Sequence, residues 1–292
     1  MITAGKYFRG KFGHKMYKAA VSLNVTCPNR DGRAGTGGCA FCSAEGSGEF
    51  ASSAASSITR QIDDAILLLS SKVPSDTGYI AYFQSFTSTY CDAGYLRASL
   101  NEAAAHPKVE ALAVGTRPDC LPDDILEVLK ETAVKIPLYV ELGLQTCDDD
   151  VAEAFGRGYR TKVYDEAVKS LKSLGINVIT HIIFGLPGED KGMMIRSVEH
   201  AVKAGTDGIK FTCLYILEGT RYGRLYDEGK IAVLECGEYF DIVEEALAVV
   251  PENVVIHRLT GDGPKKLLKA PLWTSNKRQT VNYINRRFKD IL

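Results

Sequence analysis

The sequence predicts an α/β protein, a partial (βα)6 barrel with a short basic C-terminal extension. Three observations predict it. Short apolar runs alternate with segments of helical periodicity in one unbroken series, the pattern of a parallel sheet covered by helices. The runs are apolar on both faces, as strands buried between helices and a barrel interior are. No G-x-G-x-x-G follows the first run, which weakens an open, dinucleotide-binding sheet.

Taken in order, residues 19–25 read as the first strand. Ile58, Ile62, Ala65, Ile66 and Leu69 then recur at helical spacing. Residues 79–86, rich in β-branched and aromatic side chains, predict a strand, 93–105 a helix and 110–115 a short strand. Pro122 suits the first position of a helix, with Asp123 and Asp124 in its first turn, where carboxylates complement the dipole. Residues 138–144 are a strand. Val163, Ala167, Val168, Leu171 and Leu174 mark one helix face, stopped by Gly175. Residues 176–184 predict a strand, 190–204 a helix ended by Gly205, 209–217 a strand, 235–250 a helix ended by Pro251, and 254–257 a short strand. Ser47, Gly48, Ser52, Ser53, Ser56 and Ser57 predict a loop leading into the first helix. The expected organisation is a basic N-terminal segment (1–18), a core (19–252) and a basic extension packed on it (253–292).

With 292 residues, 45% hydrophobic and 24% charged, the chain is not disordered in composition. The longest apolar run, 176–187, is far too short for a membrane span and contains Asn177, Thr180 and His181. Residues 1–14 carry Lys6, Arg9 and Lys11 and no apolar signal-peptide stretch. The expectation is a cytoplasmic protein. In a reducing compartment its eight cysteines are metal ligands, catalytic groups or buried thiols rather than disulfides. The net charge of -1 hides an asymmetry. Residues 1–44 hold seven Lys/Arg and one Asp, for +6; residues 253–292 hold nine and two, for +7. Two basic ends flank an acidic body, which suits either a solvated surface or an anionic partner held by both termini.

The most informative segment is Cys27-Pro-Asn-Arg-Asp-Gly-Arg-Ala-Gly-Thr-Gly-Gly-Cys39-Ala-Phe-Cys42, in the loop after the first strand. The loops after strand C-termini carry function in parallel α/β folds. Thiolates ligate iron–sulfur clusters and zinc, and the intervening glycines let backbone approach a bulky group closely. Three readings compete on spacing. A [4Fe–4S] cluster on three cysteines leaves one iron open. Zinc wants a fourth ligand, for which His14 or Cys91 is available. A Cys39/Cys42 redox pair leaves Cys27 unexplained.

The stretches CPNRDG…GGCAFC (27–42), AYFQSFTSTY (81–90), AVGTRPDCLPD (113–123), YVELGLQT (139–146), FGRGYRT (155–161), HIIFGLPGE (181–189), GIKFTCLYILEGT (208–220) and HRLTGDGPKKLLKAPLW (257–273) together resemble the radical S-adenosylmethionine (radical SAM) enzymes. Within them the sequence is similar to the YhcC-like family, a relative of the radical domain of the Elongator catalytic subunit and of oxygen-independent coproporphyrinogen oxidases. The resemblance covers nearly the whole chain. It implies a TIM-like barrel of radical SAM type, with Cys27, Cys39 and Cys42 ligating a [4Fe–4S] cluster whose open iron chelates S-adenosylmethionine. Reductive cleavage would give a 5′-deoxyadenosyl radical that abstracts hydrogen from substrate, in an apolar barrel interior that excludes water. A donor such as flavodoxin or ferredoxin would supply the electron.

The resemblance also implies cofactor contacts. Phe41 matches the position beside the adenine. Gln84, Ser85 and Thr87 stand where the family carries a Gly-Gly-Glu-type motif for the methionine amino group, without its glycines or acid. Gly115 stands where relatives carry a Glu. Gln145 and Arg157 match a Gln and an Arg that meet the methionine carboxylate or ribose. The turn at Gly185 and Leu186 sits where backbone approaches the adenosine.

Structural alternatives accompany these. Arg117 with Asp119 suits a loop ion pair as well as a cofactor contact, Arg157 suits the surface, and His181 suits a satisfied core histidine as well as an interior contact. Lys210, in an apolar strand, needs a partner if buried. Cys91, Cys120 and Cys147 each follow a strand and suit either a second metal centre or incidental thiols. The tail places Lys265, Lys266, Lys269, Lys277, Arg278, Arg286 and Arg287 around Trp273 and Tyr283, a pattern that can bind single-stranded nucleic acid. The functional expectation is therefore a radical SAM enzyme acting on an anionic substrate, with transfer RNA as the candidate the Elongator resemblance points toward. A small metabolite as substrate, or a non-catalytic zinc-binding RNA-interaction protein, are the alternatives.

Overall fold

Eight parallel strands form one curved sheet, and the helices that connect them cover its outer face. The computed structural model describes residues 1–46, 54–71, 73–74 and 76–289. Residues 47–53 of the expected serine-rich loop lie outside the described residues. In chain order the elements are β1 (Ile2–Thr3), α1 (Ala4–Phe12), β2 (Met16–Val21), α2 (Ile58–Leu69), β3 (Gly78–Phe83), α3 (Ala93–Ala104), β4 (Val109–Thr116), α4 (Asp123–Lys135), β5 (Leu138–Gln145), α5 (Asp149–Phe155), α6 (Thr161–Ser173), β6 (Asn177–Phe184), α7 (Lys191–Ala204), β7 (Gly208–Cys213), β8 (Ile216–Leu217), α8 (Arg221–Asp227), α9 (Cys236–Ala248), β9 (Val255–Arg258), β10 (Leu268–Ala270) and α10 (Lys277–Arg287). The sheet order is β1-β9-β7-β6-β5-β4-β3-β2, so β2 to β7 make the six expected βα units in sequence.

The register explains the layers. Outward residues such as Val21, Phe83, Val114, Leu142 and Phe211 are fully buried beneath the helices in one large apolar cluster. Inward residues alternate with them, as the period of a strand requires. At the N-terminal end of the barrel, Ile80, Ala111, Ala113, Tyr139 and Ile179 pack with Phe8. Phe8 belongs to α1, which closes this end like a plug. Its ring meets Tyr139 edge-on at 5.5 Å and His257 at 5.7 Å.

The sequence reading and the structure part in four places. The first strand begins at Met16 and ends at Val21; Leu23 is buried in the following loop, so apolarity there reflects packing rather than pairing. Pro122 precedes the α4 helix rather than opening it. The strand expected over 209–217 stops at Cys213. Ile216 and Leu217 turn away to pair antiparallel with β10, because Leu214 and Ile216 are needed in a second cluster with Ala40, Phe155 and Leu186. Finally, α1 was not legible, its apolar side chains being masked by Lys6, Arg9 and Lys11. Among the described residues, no helix is long and apolar enough to cross a membrane.

Candidate functional site

The cysteine loop leaves the C-terminal end of β2 and folds over the mouth of the barrel. Its turns are built locally. Arg30 N–H donates to Cys27 O at 2.8 Å, Gly38 N–H to Asn29 O at 2.8 Å, and Cys42 N–H to Cys39 O at 2.9 Å. Two backbone bonds fasten it to distant elements: Ala40 N–H to Phe155 O at 2.8 Å, and Tyr222 N–H to Ala40 O at 2.9 Å. The Asn29 amide nitrogen lies 2.6 Å from Gly156 O and 3.2 Å from Cys39 Sγ. Gly37 and Gly38 have φ of 78° and 83°, the left-handed region that glycine adopts without strain.

Cys27, Cys39 and Cys42, none of them in a disulfide, open into one cavity of about 350 Å³. Phe41 lines the same cavity and packs on Phe155 at 5.2 Å. Burial, and then the neighbouring Cys42, push the Cys39 thiol up to about 11. A thiol held up in this way ionises more readily once a cation or metal sits beside it. Thr87 Oγ1 and Asn29 Oδ1, beside the cavity and the loop, are buried with no hydrogen-bond partner. Among the described residues, no three His, Cys, Asp or Glu side chains converge as they would on a single metal ion.

The family model of the Radical SAM superfamily matches residues 27–201, which begin at the first of these cysteines. The chain belongs to the radical SAM superfamily. Its cofactors are accordingly a [4Fe–4S] cluster and S-adenosylmethionine. A second model, the radical SAM C-terminal domain, matches residues 206–290. Two relatives match over most of their length. YtqA of Bacillus subtilis is 38% identical over 99% of this chain and 89% of its own, and YhcC of Escherichia coli 33% over 91% and 85%. A tRNA uridine(34) acetyltransferase of Methanocaldococcus jannaschii is 29% identical over 61% of this chain but only 32% of its own. Among solved structures, the archaeal Elp3 of Methanocaldococcus infernus superposes with a TM-score of 0.67 at 17% identity, over 93% of this chain and 63% of that one, a likeness of fold.

Other residues expected around the cofactors of a radical SAM enzyme divide into those on the cavity wall and those behind it. Gln84, Thr87, Arg117, Gln145, Arg157 and His181 line the cavity. Ser85 does not: its hydroxyl bonds Ser22 at 2.5 Å beneath the loop. Gly185 and Leu186 lie behind the cysteine loop, where Leu186 is buried against Ala40 and Phe155. Arg117 makes a two-pronged pair with Asp119 at 2.9 and 2.7 Å and lies over the Tyr159 ring. Burial opposes its charge, but Asp119 more than offsets this and holds the guanidinium above its ordinary value. Gln145 has φ of 59°, and the Tyr159 hydroxyl lies 3.5 Å from its Oε1.

Arg157 is not on the surface; it is 1% exposed, and its N–H groups are already engaged. Nη1 donates to Leu144 O and Thr146 O at 2.8 and 2.6 Å, Nε to Tyr159 O at 2.9 Å, and Nη2 to Asp149 and Thr161 at 2.9 and 3.0 Å. Here it braces the β5–α5 connection against the α5–α6 connection. Cys91 and Cys120 line a separate cavity with Arg33 and Tyr90, while Cys147 lies elsewhere, its N–H on Ser197 Oγ at 2.9 Å.

The apolar interior expected from the strands is corrected. Midway along the barrel, Lys18, Tyr82, Glu141, His181 and Lys210 point inward. Glu141 is fully buried. It accepts from Lys18 on Oε1 and from Lys210 on Oε2, and His181 Nε2 lies 2.8 Å from Oε2. Tyr82 also bonds it. Burial works against the Glu141 charge, but Lys18 and Lys210 overcome it and hold the carboxyl well below its ordinary value. His181 is thus both bonded and on the cavity wall, and Lys210 has the partner its burial demands. Glu141 and Lys18 escaped the sequence reading, because a single charge in an apolar strand gives no sign of which face it takes.

Part of the terminal positive charge is paired within the molecule. Lys18 meets Glu141, Lys269 meets Asp227 at 2.8 Å, Lys277 meets Asp262 at 2.6 Å, and Arg287 meets Asp241 and Glu244 at 2.6 Å each. Lys18, Lys269 and Arg287 thus pair the basic ends with the acidic body, while Lys277 pairs within the C-terminal extension.

Proposed function

We propose that Cys27, Cys39 and Cys42 hold the [4Fe–4S] cluster, and that the adjoining cavity takes S-adenosylmethionine together with an anionic second substrate. The opening of all three thiols, Phe41, Arg117 and Gln145 into one cavity carries this reading. When bound, the reduced cluster and S-adenosylmethionine supply radical chemistry, by one-electron cleavage of the sulfonium and hydrogen-atom abstraction from the substrate. The chain's own residues position and protect. Phe41, backed by Phe155, offers an apolar wall to the adenine. The unpartnered Thr87 hydroxyl and the Gln145 amide on the cavity wall would meet the polar head of the methionine. Arg157 keeps the loops around Gln145 in place. The plug formed by α1 closes the barrel to water from below. A flavodoxin- or ferredoxin-type donor would supply the electron.

Transfer RNA as second substrate is favoured by the relatives whose name is tRNA uridine(34) acetyltransferase. The pairing of the basic ends with the acidic body favours a smaller anionic molecule. The protein is to be purified without oxygen and reconstituted with iron and sulfide. About four iron per chain and release of 5′-deoxyadenosine on reduction are expected, and both should vanish in Cys39→Ala. One zinc per chain with no cleavage would overturn the reading. Modified nucleosides compared between RNA from cells with and without the gene decide between the two substrates.

A further inference from the structure

We propose that Arg258, on the cavity wall beside the Glu141 carboxylate that Lys18 and Lys210 already pair, binds an oxyanion of the second substrate, a carboxylate or a phosphate. The inference rests on the proposed function and locates the anion that it calls for.

The four residues come from four strands: Lys18 from β2, Glu141 from β5, Lys210 from β7 and Arg258 from β9. Arg258 stands opposite Lys210 in the sheet register. Both ammonium groups also lie over the Tyr82 ring, at 3.8 and 4.8 Å from its centroid. The layer therefore brings three basic side chains to one carboxylate. The other titratable groups that face it do not restore the balance. Burial pushes His181 down to about 4 and His257 to about 3, so both are neutral near pH 7. Asp262 lines the cavity but pairs with Lys277 at 2.6 Å. Asp119 is taken by Arg117. Burial also lowers the Lys210 ammonium well below its ordinary value. With Lys210 neutral, Lys18 matches Glu141 and Arg258 is left over; with it charged, the surplus is two.

Arg258 is the exposed member. Its guanidinium donates to Thr212 Oγ1 at 2.6 Å, and both residues line the cavity. Among the described residues, no carboxylate pairs with it. A planar fork with one neutral partner keeps further N–H groups for a two-point contact, the geometry that carboxylates and phosphates accept.

The test is titration calorimetry of the reconstituted holoprotein with inorganic phosphate and, separately, with succinate. Wild type should bind at least one of them. Arg258→Gln should weaken that binding by about tenfold or more, with Arg258→Lys intermediate. Lys230→Gln, which removes an exposed charge elsewhere, should leave it unchanged. Tighter phosphate binding would assign a phosphorylated substrate, and tighter succinate binding a carboxylic acid. Equal affinity in wild type and Arg258→Gln, no binding of either probe, or displacement of the probe by S-adenosylmethionine would overturn the inference. Iron content and visible absorbance of the same preparation test the cluster reading separately.

Discussion

Asn29 and Cys39 are joined by an amide N–H···S contact of 3.2 Å, and the same amide nitrogen reaches the carbonyls of Gly156 and Arg157 at 2.6 and 3.1 Å. One side chain thus ties the cysteine loop to the turn after α5. The approach is close enough that a Cβ on Gly158 would lie 2.7 Å from Asn29 Oδ1. Hydrogen bonds to the sulfur tune an iron–sulfur centre and hold its ligand in place. Asn29→Leu should keep the fold by circular dichroism but lose iron on dialysis about tenfold faster than wild type. Retention equal to wild type would show that the contact is incidental.

The barrel plug makes a second prediction. Phe8 is 7% exposed and supplies the ring that fills the N-terminal end of the barrel. Phe8→Ala should cost about 3–5 kcal/mol in urea unfolding, because the strands around the gap cannot collapse into it. Phe8→Leu should recover most of that loss.

Stability should fall on acidification between about pH 6.5 and 4. His181 and His257 are neutral in the folded chain, with values pushed down to about 4 and about 3, against 6.5 when free. Below pH 6.5 the unfolded chain therefore binds protons that the folded chain refuses. Each such proton contributes a slope of up to about 1.4 kcal/mol per pH unit, with stability rising as pH rises. The paired carboxylate of Glu141 acts with the same sign at lower pH, being lost as pH falls through its depressed value. Urea midpoints at pH 7, 6 and 5 measure the slope. It should be shallower in His257→Asn.

Arg157 should behave as a brace. Replacing it with Ala leaves the carbonyls of Leu144, Thr146 and Tyr159 and the Asp149 carboxylate short of a donor. A loss of about 3–5 kcal/mol is expected. Arg157→Lys should restore little, because a single ammonium cannot span all five acceptors. Full rescue by Lys, in stability and in S-adenosylmethionine affinity, would instead point to a simple charge contact with ligand.

The alternation of strands and helices and the cysteine spacing were legible because both are local patterns. The interior was not. Lys18, Glu141 and Lys210 sit 123 and 69 residues apart in sequence and meet only when the strands register. The same holds for the basic termini. Lys269, Lys277 and Arg287 look like an RNA-binding stripe until folding brings Asp227, Asp262 and Asp241 against them. Arg157 reads as a ligand contact by motif and as a surface residue by charge. Its enclosure by five acceptors between Leu144 and Thr161 depends on how the two connections around α5 fold against each other, which neither motif nor charge shows.

Gln145 and Gly143 make the most discriminating pair. Gln145 has φ of 59°, and its side chain folds back over Gly143, so that a Cβ at Gly143 would lie 2.3 Å from Gln145 Nε2. The atom in the way is the end of a flexible side chain rather than backbone. Gly143→Ala should therefore leave the fold intact and evict the amide from its place on the cavity wall. If the amide meets S-adenosylmethionine, Gly143→Ala and Gln145→Ala should each weaken its binding by about tenfold, the worth of one good hydrogen bond. Because both changes remove the same contact, the double variant should be no weaker than either single one. Binding measured by calorimetry on the reconstituted protein reads all three. Additive losses would mean that Gly143 has a role of its own, such as a close backbone approach to the cofactor. Unchanged binding in both single variants would remove Gln145 from the site.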